Sequence, residues 1–226
     1  MKNKLNRRDF INAASVLGAG IAIGLPTVAS ASGASSVKPA ILGGPKAFTG
    51  KWLGWPVIGQ IEEKELFDVL KSGRWGRLGS QTVPRFEEEY QKLTGAKHAL
   101  AVSSGTSSLY TMLGALNIGP GDEVVIPAYT FIASYNAVVL HYALPIFVDS
   151  DIESFQIDAH KIESAVTDRT RVIMPVHIGG SPADLDEILS VAGKHNIPVI
   201  EDACQAHLAE WKGKSVGTWG LAGGFS

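Results

Sequence analysis

The stretch Pro198-Val199-Ile200-Glu201-Asp202-Ala203-Cys204-Gln205-Ala206-His207 constrains the fold more than any other part of the chain. A short apolar run breaks off in two adjacent carboxylates, followed by small and polar residues. A buried parallel strand has this form when it delivers a carboxylate to the edge of its sheet. Open α/β sheets bind ligands at the carboxyl ends of their strands, which places Asp202 to meet a ligand. Read from the residues alone, Asp202 serves equally as a plain helix N-cap.

The same grammar recurs upstream. Residues 98–102, 123–126, 145–148, 171–176 and 199–201 read as strands. Helices are expected from the Ser103-Ser104-Gly105-Thr106 turn to about Leu116, and over 131–140, 158–166 and 183–194, with Asp158 as an N-cap. Two earlier helices are expected as well. One runs from Ile61 to a stop at Gly73, with Ile61, Leu66, Val69 and Leu70 on one side; the other covers 83–93 and ends at Gly95. Alternation at this spacing predicts an α/β fold, a mostly parallel sheet with helices on both faces.

The chain has 226 residues, 45% hydrophobic and 19% charged, which is globular composition. A net charge of -2 without a Lys/Arg run argues against nucleic acid as a partner. The lone cysteine, Cys204, removes an internal disulfide and any multi-cysteine metal site, and no metal is expected. Its place beside Asp202 invites a catalytic role, but free cysteines mostly behave as small buried residues.

Residues 1–31 read as a targeting segment. Lys2, Lys4, Arg7 and Arg8 precede an apolar run of small residues over 13–25, and Ala29-Ser30-Ala31 offers a cleavage site. Asn6-Arg7-Arg8-Asp9-Phe10-Ile11 resembles a twin-arginine signal, so export from the cytoplasm is expected. The alternative, a membrane anchor, is disfavoured because the run falls short of the roughly 20 apolar residues of a span. Residues 32–40 read as a linker, and 41–226 as one folded domain.

Ser103-Ser104-Gly105-Thr106-Ser107-Ser108 joins a strand to a helix. Gly105 permits a tight turn, the first helical N–H groups are free, and the helix dipole favours an anion there. Thr106 and Ser107 add hydroxyls, so the segment reads either as a phosphate cradle or as an ordinary serine-capped helix. It is not a Walker loop or a dinucleotide fingerprint, which require other glycine and lysine spacings. Phe131, after the Pro127-Ala128-Tyr129-Thr130 turn, either stacks on a flat heterocycle or fills the core. His177 ends another strand and serves substrate, cofactor or a structural hydrogen bond.

Taken together the segments resemble the DegT/DnrJ/EryC1/StrS sugar aminotransferase family. The matching residues are Ser104-Gly105-Thr106, Gly119-Pro120-Gly121-Asp122-Glu123-Val124, Pro127 through Thr130-Phe131, and Pro145 to Asp149. They continue through Pro175-Val176-His177, Pro182-Ala183-Asp184, Ile200-Glu201-Asp202-Ala203, Gln205-Ala206, Gly213-Lys214 and Phe225-Ser226. The opening Leu42-Gly43-Gly44-Pro45, with Trp55-Pro56 and Gly73-Arg74-Trp75, is similar to members that act on cyclitol ketones or make aminohydroxybenzoate.

The resemblance implies the large domain of a fold type I, aspartate aminotransferase-like enzyme that uses pyridoxal 5'-phosphate (PLP), commonly as a homodimer. It implies that Gly105, Thr106, Ser107 and Ser226 hold the phosphate and that Phe131 stacks on the ring. Asp202 would pair with the ring nitrogen and Gln205 would touch the phenolic oxygen; His177, from its own place at a strand end, is the candidate substrate contact. The reaction would carry an amino group from glutamate or glutamine to a keto-sugar or cyclitol ketone. The family's Schiff-base lysine is expected just after the serine matched by Ser226, at which this chain stops, and neither Lys212 nor Lys214 occupies that position. The chain therefore reads as a portion cut inside a strand and inactive alone. A histidine in place of the lysine would imply a sugar dehydratase. A non-catalytic binding or assembly protein is the remaining alternative.

Overall fold

A computed structural model of the protein describes residues 38–52, 54 and 56–226. The expected targeting segment, most of the expected linker and Trp55 lie outside the described residues. Two compact units are present, one ending at Ile58 and one comprising Gly59–Ser226. Residues 41–58, expected to open the α/β domain, thus group with the amino-terminal unit. Their described part contains a 3-10 turn at Ala40–Leu42.

The second unit opens with two helices, α1 (Gln60–Ser72) and α2 (Thr82–Thr94). They end at Gly73 and Gly95, whose φ angles of 63° and 73° lie in the left-handed region that glycine adopts without strain. Among the described residues the apolar stripe of α1 covers nothing: Ile61, Leu66 and Leu70 are exposed, and the helix buries no residue. The chain then alternates through α3 (Gly105–Ala115), β1 (Glu123–Pro127), α4 (Ile132–Val139), β2 (Leu144–Val148), α5 (Ala159–Ala165) and β3 (Thr170–Ile173). It continues through α6 (Leu185–His195), β4 (Ile200–Asp202), the hairpin β5 (Glu210–Trp211) and β6 (Lys214–Ser215), and finally β7 (Ala222–Gly224).

Strand β1 pairs in parallel with β2 on one side and β3 on the other. Parallel bridges Ile173–Val199 and Val176–Asp202 carry the sheet to β4, which pairs in parallel with β7. The resulting order is β2-β1-β3-β4-β7. Every residue of β1 is buried, because helices cover both faces. Val124 and Ile126 pack with Leu109 and Leu113 of α3 and with Ala137 and Val138 of α4. Val125 points the other way, among Ile162 of α5 and Ile188 and Val191 of α6. Side chains of a strand alternate between faces. Accordingly Ile200 joins the α3/α4 core and Val199 the α5/α6 core. No helix among the described residues is long and apolar enough to cross a membrane.

Two elements depart from the sequence reading. The expected strand over 98–102 is not formed. Leu100 and Val102 are exposed, and the Ala101 N–H donates to Glu87 Oε1 at 2.7 Å, not to a neighbouring strand. These residues and Ala222, Gly223 and Phe225 line a cavity of about 1000 Å³, so no strand lies alongside to supply a ladder. Apolar composition does not make a strand without a pairing edge. The sequence pattern does not predict the β5–β6 hairpin. Its two loop residues, Lys212 and Gly213, have φ of 48° and 79°, as a tight hairpin turn requires.

A buried glutamate fixes where the sheet begins. Glu123 accepts the Thr167 hydroxyl at 2.5 Å and pairs with Arg169, tying the start of β1 to the turn before β3. Thr167, and then Arg169, hold the Glu123 carboxyl below its ordinary value of 4.5 against the opposing cost of burial. A depressed folded-state pKa stabilises the fold fully above the ordinary value, and that contribution is lost as pH falls through the folded value. Urea midpoints followed from about pH 7 down to about pH 3 should drop on the acid side, and Glu123→Gln should flatten that limb. Equal acid slopes in the two proteins would show that this carboxyl is not linked to folding.

Candidate active site

The tight turn at the start of α3 forms as its sequence suggests. Ser104 caps the helix, its hydroxyl accepting the Ser107 N–H at 3.1 Å. The hydroxyls of Ser103 and Ser104 lie 2.9 and 3.0 Å from that of Ser107. Gly105 is required by close approach. A Cβ there would stand 2.5 Å from Cys204 Sγ and 2.6 Å from Ser226 Cβ. That approach brings Ser226, 121 positions on in the numbering, to the N-terminus of α3. Thr106 and Ser107 are half-buried on the same turn. Gly105, Thr106, Ser107 and Ser226 therefore form one polar rim beneath free helical N–H groups, a setting suited to a phosphate. Ser226 is held by its backbone: His207 Nε2–H donates to its carbonyl at 2.6 Å, so Nδ1 accepts from the Tyr90 hydroxyl at 2.8 Å.

Asp202 is buried, and its carboxylate is seated from two sides. Oδ2 accepts the Ser134 hydroxyl at 2.7 Å, and Oδ1 accepts the Cys204 N–H at 3.2 Å. Ser134 is itself buried on α4 and, having donated its proton to Asp202, accepts from Thr130 Oγ1 at 2.7 Å. No helix follows β4, so Asp202 is not a helix N-cap; it closes a turn onto the residue two positions on. Cys204 sits between Asp202 and Gly105. Burial, and then the Asp202 charge, push its thiol far above the ordinary range, so it stays protonated and unreactive.

Phe131 occupies the N-cap position of α4 and is 62% exposed, so it is not a core residue of this chain. The exposed Gln205 accepts the Gly179 N–H through Oε1 at 2.7 Å. A backbone N–H only donates, so the amide oxygen faces Gly179 and the NH₂ end is the one left to donate elsewhere.

His177 does not meet the expectation of a substrate contact. It is fully buried, and both ring nitrogens are occupied: Nδ1 accepts the Ala183 N–H at 3.0 Å, and Nε2–H donates to Glu201 at 3.1 Å. Of the roles left open by its sequence, the structural one is observed. Lys212 pairs with Asp186, and Lys214 lies 4.7 Å over the Trp219 ring, both on the hairpin. The 1000 Å³ cavity touches Ser104 and Ser226 but not Asp202 or Gln205, so it borders the cradle and is not the site.

Sequence reasoning passed over Ser134, Thr130, His207 and Glu201. The spacing of Ser134, four residues after Thr130 and three after Phe131, puts them on one helical turn and was the available signal. His207 and Glu201 carry none, because their roles depend on contacts with distant turns.

The model of the DegT/DnrJ/EryC1/StrS aminotransferase family matches residues 56–226. The chain is 40% identical over 192 residues to L-glutamine:scyllo-inosose aminotransferase of Streptomyces griseus, covering 83% of this chain and 45% of that protein. It is 41% identical over 163 residues to 3-amino-5-hydroxybenzoate synthase of Amycolatopsis mediterranei, covering 72% and 42%. Among solved structures, E. coli GDP-4-keto-6-deoxy-D-mannose-3-dehydratase with bound hydrated PLP aligns with a TM-score of 0.67 at 31% identity, covering 76% and 44%. The chain spans under half the length of these relatives. It belongs to the DegT/DnrJ/EryC1/StrS aminotransferase family and has the fold type I architecture of its PLP enzymes.

Gly105→Ala tests the cradle. The added methyl must displace Cys204 or Ser226, so PLP affinity is expected to fall about tenfold or more, roughly 1.4 kcal/mol or above, with far-UV circular dichroism unchanged. Unaltered affinity would remove Gly105 from the site.

Proposed function

We propose that the protein is a PLP-dependent aminotransferase that moves an amino group from glutamine or glutamate to a keto-sugar or cyclitol ketone. One observation carries the reading: a buried carboxylate, Asp202, seated by Ser134 and the Cys204 N–H, stands at the carboxyl edge of the sheet and is linked through Cys204 to the Gly105–Ser226 rim. The donor set fits the cofactor of the family. PLP, when bound, supplies an electron sink at its protonated ring nitrogen. Asp202 holds a proton at that nitrogen. Ser107, Thr106 and Ser226, with the first N–H groups of α3, bind the phosphate, and Phe131 offers its exposed ring for stacking. The free NH₂ of Gln205 donates to the phenolic oxygen. The reading also requires a lysine amine, which the resemblance places after Ser226.

The relatives named for scyllo-inosose and aminohydroxybenzoate support a cyclic ketone as acceptor, and the first supports glutamine as donor. A second copy of the chain is the proposed cover for the exposed stripe of Ile61, Leu66, Phe67 and Leu70 on α1. Burying such side chains is worth about 1.5–3 kcal/mol each, set against the cost of association.

Full-length protein loaded with PLP should consume glutamine or glutamate in a single turnover. The visible absorption of the bound cofactor should disappear and return on adding a keto-cyclitol or keto-sugar, in a preparation that sediments at twice the chain mass. Loss of water from a keto-deoxysugar without amino transfer would instead assign dehydration. PLP binding with neither reaction would contradict the proposal.

A further inference from the structure

Glu201 is the second carboxylate of the acidic pair, and the alternation of β4 turns it away from Asp202. It is fully buried, and both its oxygens are saturated. Oε1 accepts the N–H groups of Trp219 and Gly220, and Oε2 that of Gly217, each at 2.7 Å. These contacts are at the short end for N–H···O bonds, as expected for an ionised acceptor. The fourth donor is His177 Nε2–H. Because His177 Nδ1 accepts from Ala183, the ring is neutral, and no cation among the described residues offsets the buried charge. Burial pushes the Glu201 carboxyl up, but the bonds from His177, Gly220 and Gly217 outweigh it and hold the pKa below its ordinary value. A buried anion held by neutral donors alone is a costly way to stabilise a fold, since apolar packing would serve as well or better.

The amides it gathers belong to one turn, 217–220, and that turn fits only a narrow space. Gly217 has a φ of 81°, and a Cβ on Gly220 would meet Val199 O at 2.4 Å. A Cβ on Gly223 would meet Gly217 O at 2.2 Å, so the turn lies directly against β7. Strand β7 leads within two residues to Ser226 on the cradle. Three short bonds thus run from Glu201 to the segment that ends in Ser226, against one of 3.1 Å toward His177 and the turn that holds Gln205. We propose that Glu201 is a positioning residue for the phosphate end of the cofactor site: its carboxylate moulds the 217–220 turn and thereby sets Ser226 against Gly105. The inference rests on the reading of that rim as a phosphate cradle.

The test compares PLP with pyridoxal, which lacks the phosphate, on apo full-length protein by equilibrium dialysis, with ³¹P NMR of bound PLP as a second readout. Glu201→Gln replaces an acceptor with an NH₂ that faces N–H donors. It should lower PLP affinity tenfold or more, leave pyridoxal affinity within about twofold, and shift the bound ³¹P resonance. Glu201→Asp keeps the charge but draws it back, and should show a smaller loss of the same kind; it decides the matter by the same ratio if Glu201→Gln does not fold. Equal losses for PLP and pyridoxal, or no loss for either, would overturn the assignment. Ser226→Ala separates this failure from that of the underlying reading. An unchanged PLP-to-pyridoxal ratio in Ser226→Ala would refute the cradle itself.

Discussion

Adjacent residues of a strand leave on opposite faces, and at the end of β4 this rule sends two neighbouring carboxylates to different tasks. Asp202 faces α4 and receives Ser134. Glu201 faces the other layer and receives the turn that precedes β7. A shift of one residue in the pairing of β4 with β7 would exchange the two and leave both carboxylates buried without donors. The parallel register Ile200–Ala222, Glu201–Gly223, Asp202–Gly224 is therefore more than a packing choice; the site depends on it.

Three glycines around that register mark places where a second segment packs directly against the backbone. Gly105 admits Ser226 and Cys204, Gly223 admits the 217–220 turn, and Gly224 admits the hydroxyl of Ser108, which would lie 2.5 Å from a Cβ. Each removes a side chain so that two polar segments can meet. The result is a rim assembled from α3 and the end of β7, segments with no local reason to touch. Behind it, Cys204 is a small apolar filler whose thiol burial, and then the neighbouring carboxylate, keep protonated. The chemistry sits on the exposed side of this layer and the scaffolding on the buried side.

Much of this was legible in the sequence, for physical reasons. β1 is buried on both faces and so appears as an unbroken apolar run, and the left-handed glycines after α1 and α2 punctuate those helices clearly. The abrupt change from Ile200 to Glu201-Asp202 located the sheet edge. Local patterns did not show whether an apolar segment finds a neighbour, so 98–102 was read as a strand though no edge accompanies it. They also did not show which way a polar residue at a strand end turns. His177 follows the Val176 bridge and Asp202 ends β4, and the two look alike in sequence, yet His177 bonds to Ala183 and Glu201 while Asp202 bonds to Ser134 of α4. The hydroxyl relay of Thr130 and Ser134 was within reach of a helical-spacing argument. The amide nest around Glu201 was not, because its donors lie 16–19 positions away on an irregular turn.

In the proposed chemistry Asp202 holds a proton on the cofactor's ring nitrogen, and that nitrogen is the most direct probe. Full-length protein loaded with PLP labelled with ¹⁵N in the ring should show the resonance of a protonated pyridine, coupled to a proton, and Asp202→Asn should move it toward the unprotonated position. An unprotonated resonance in the unaltered protein, or one that Asp202→Asn leaves in place, would contradict the account.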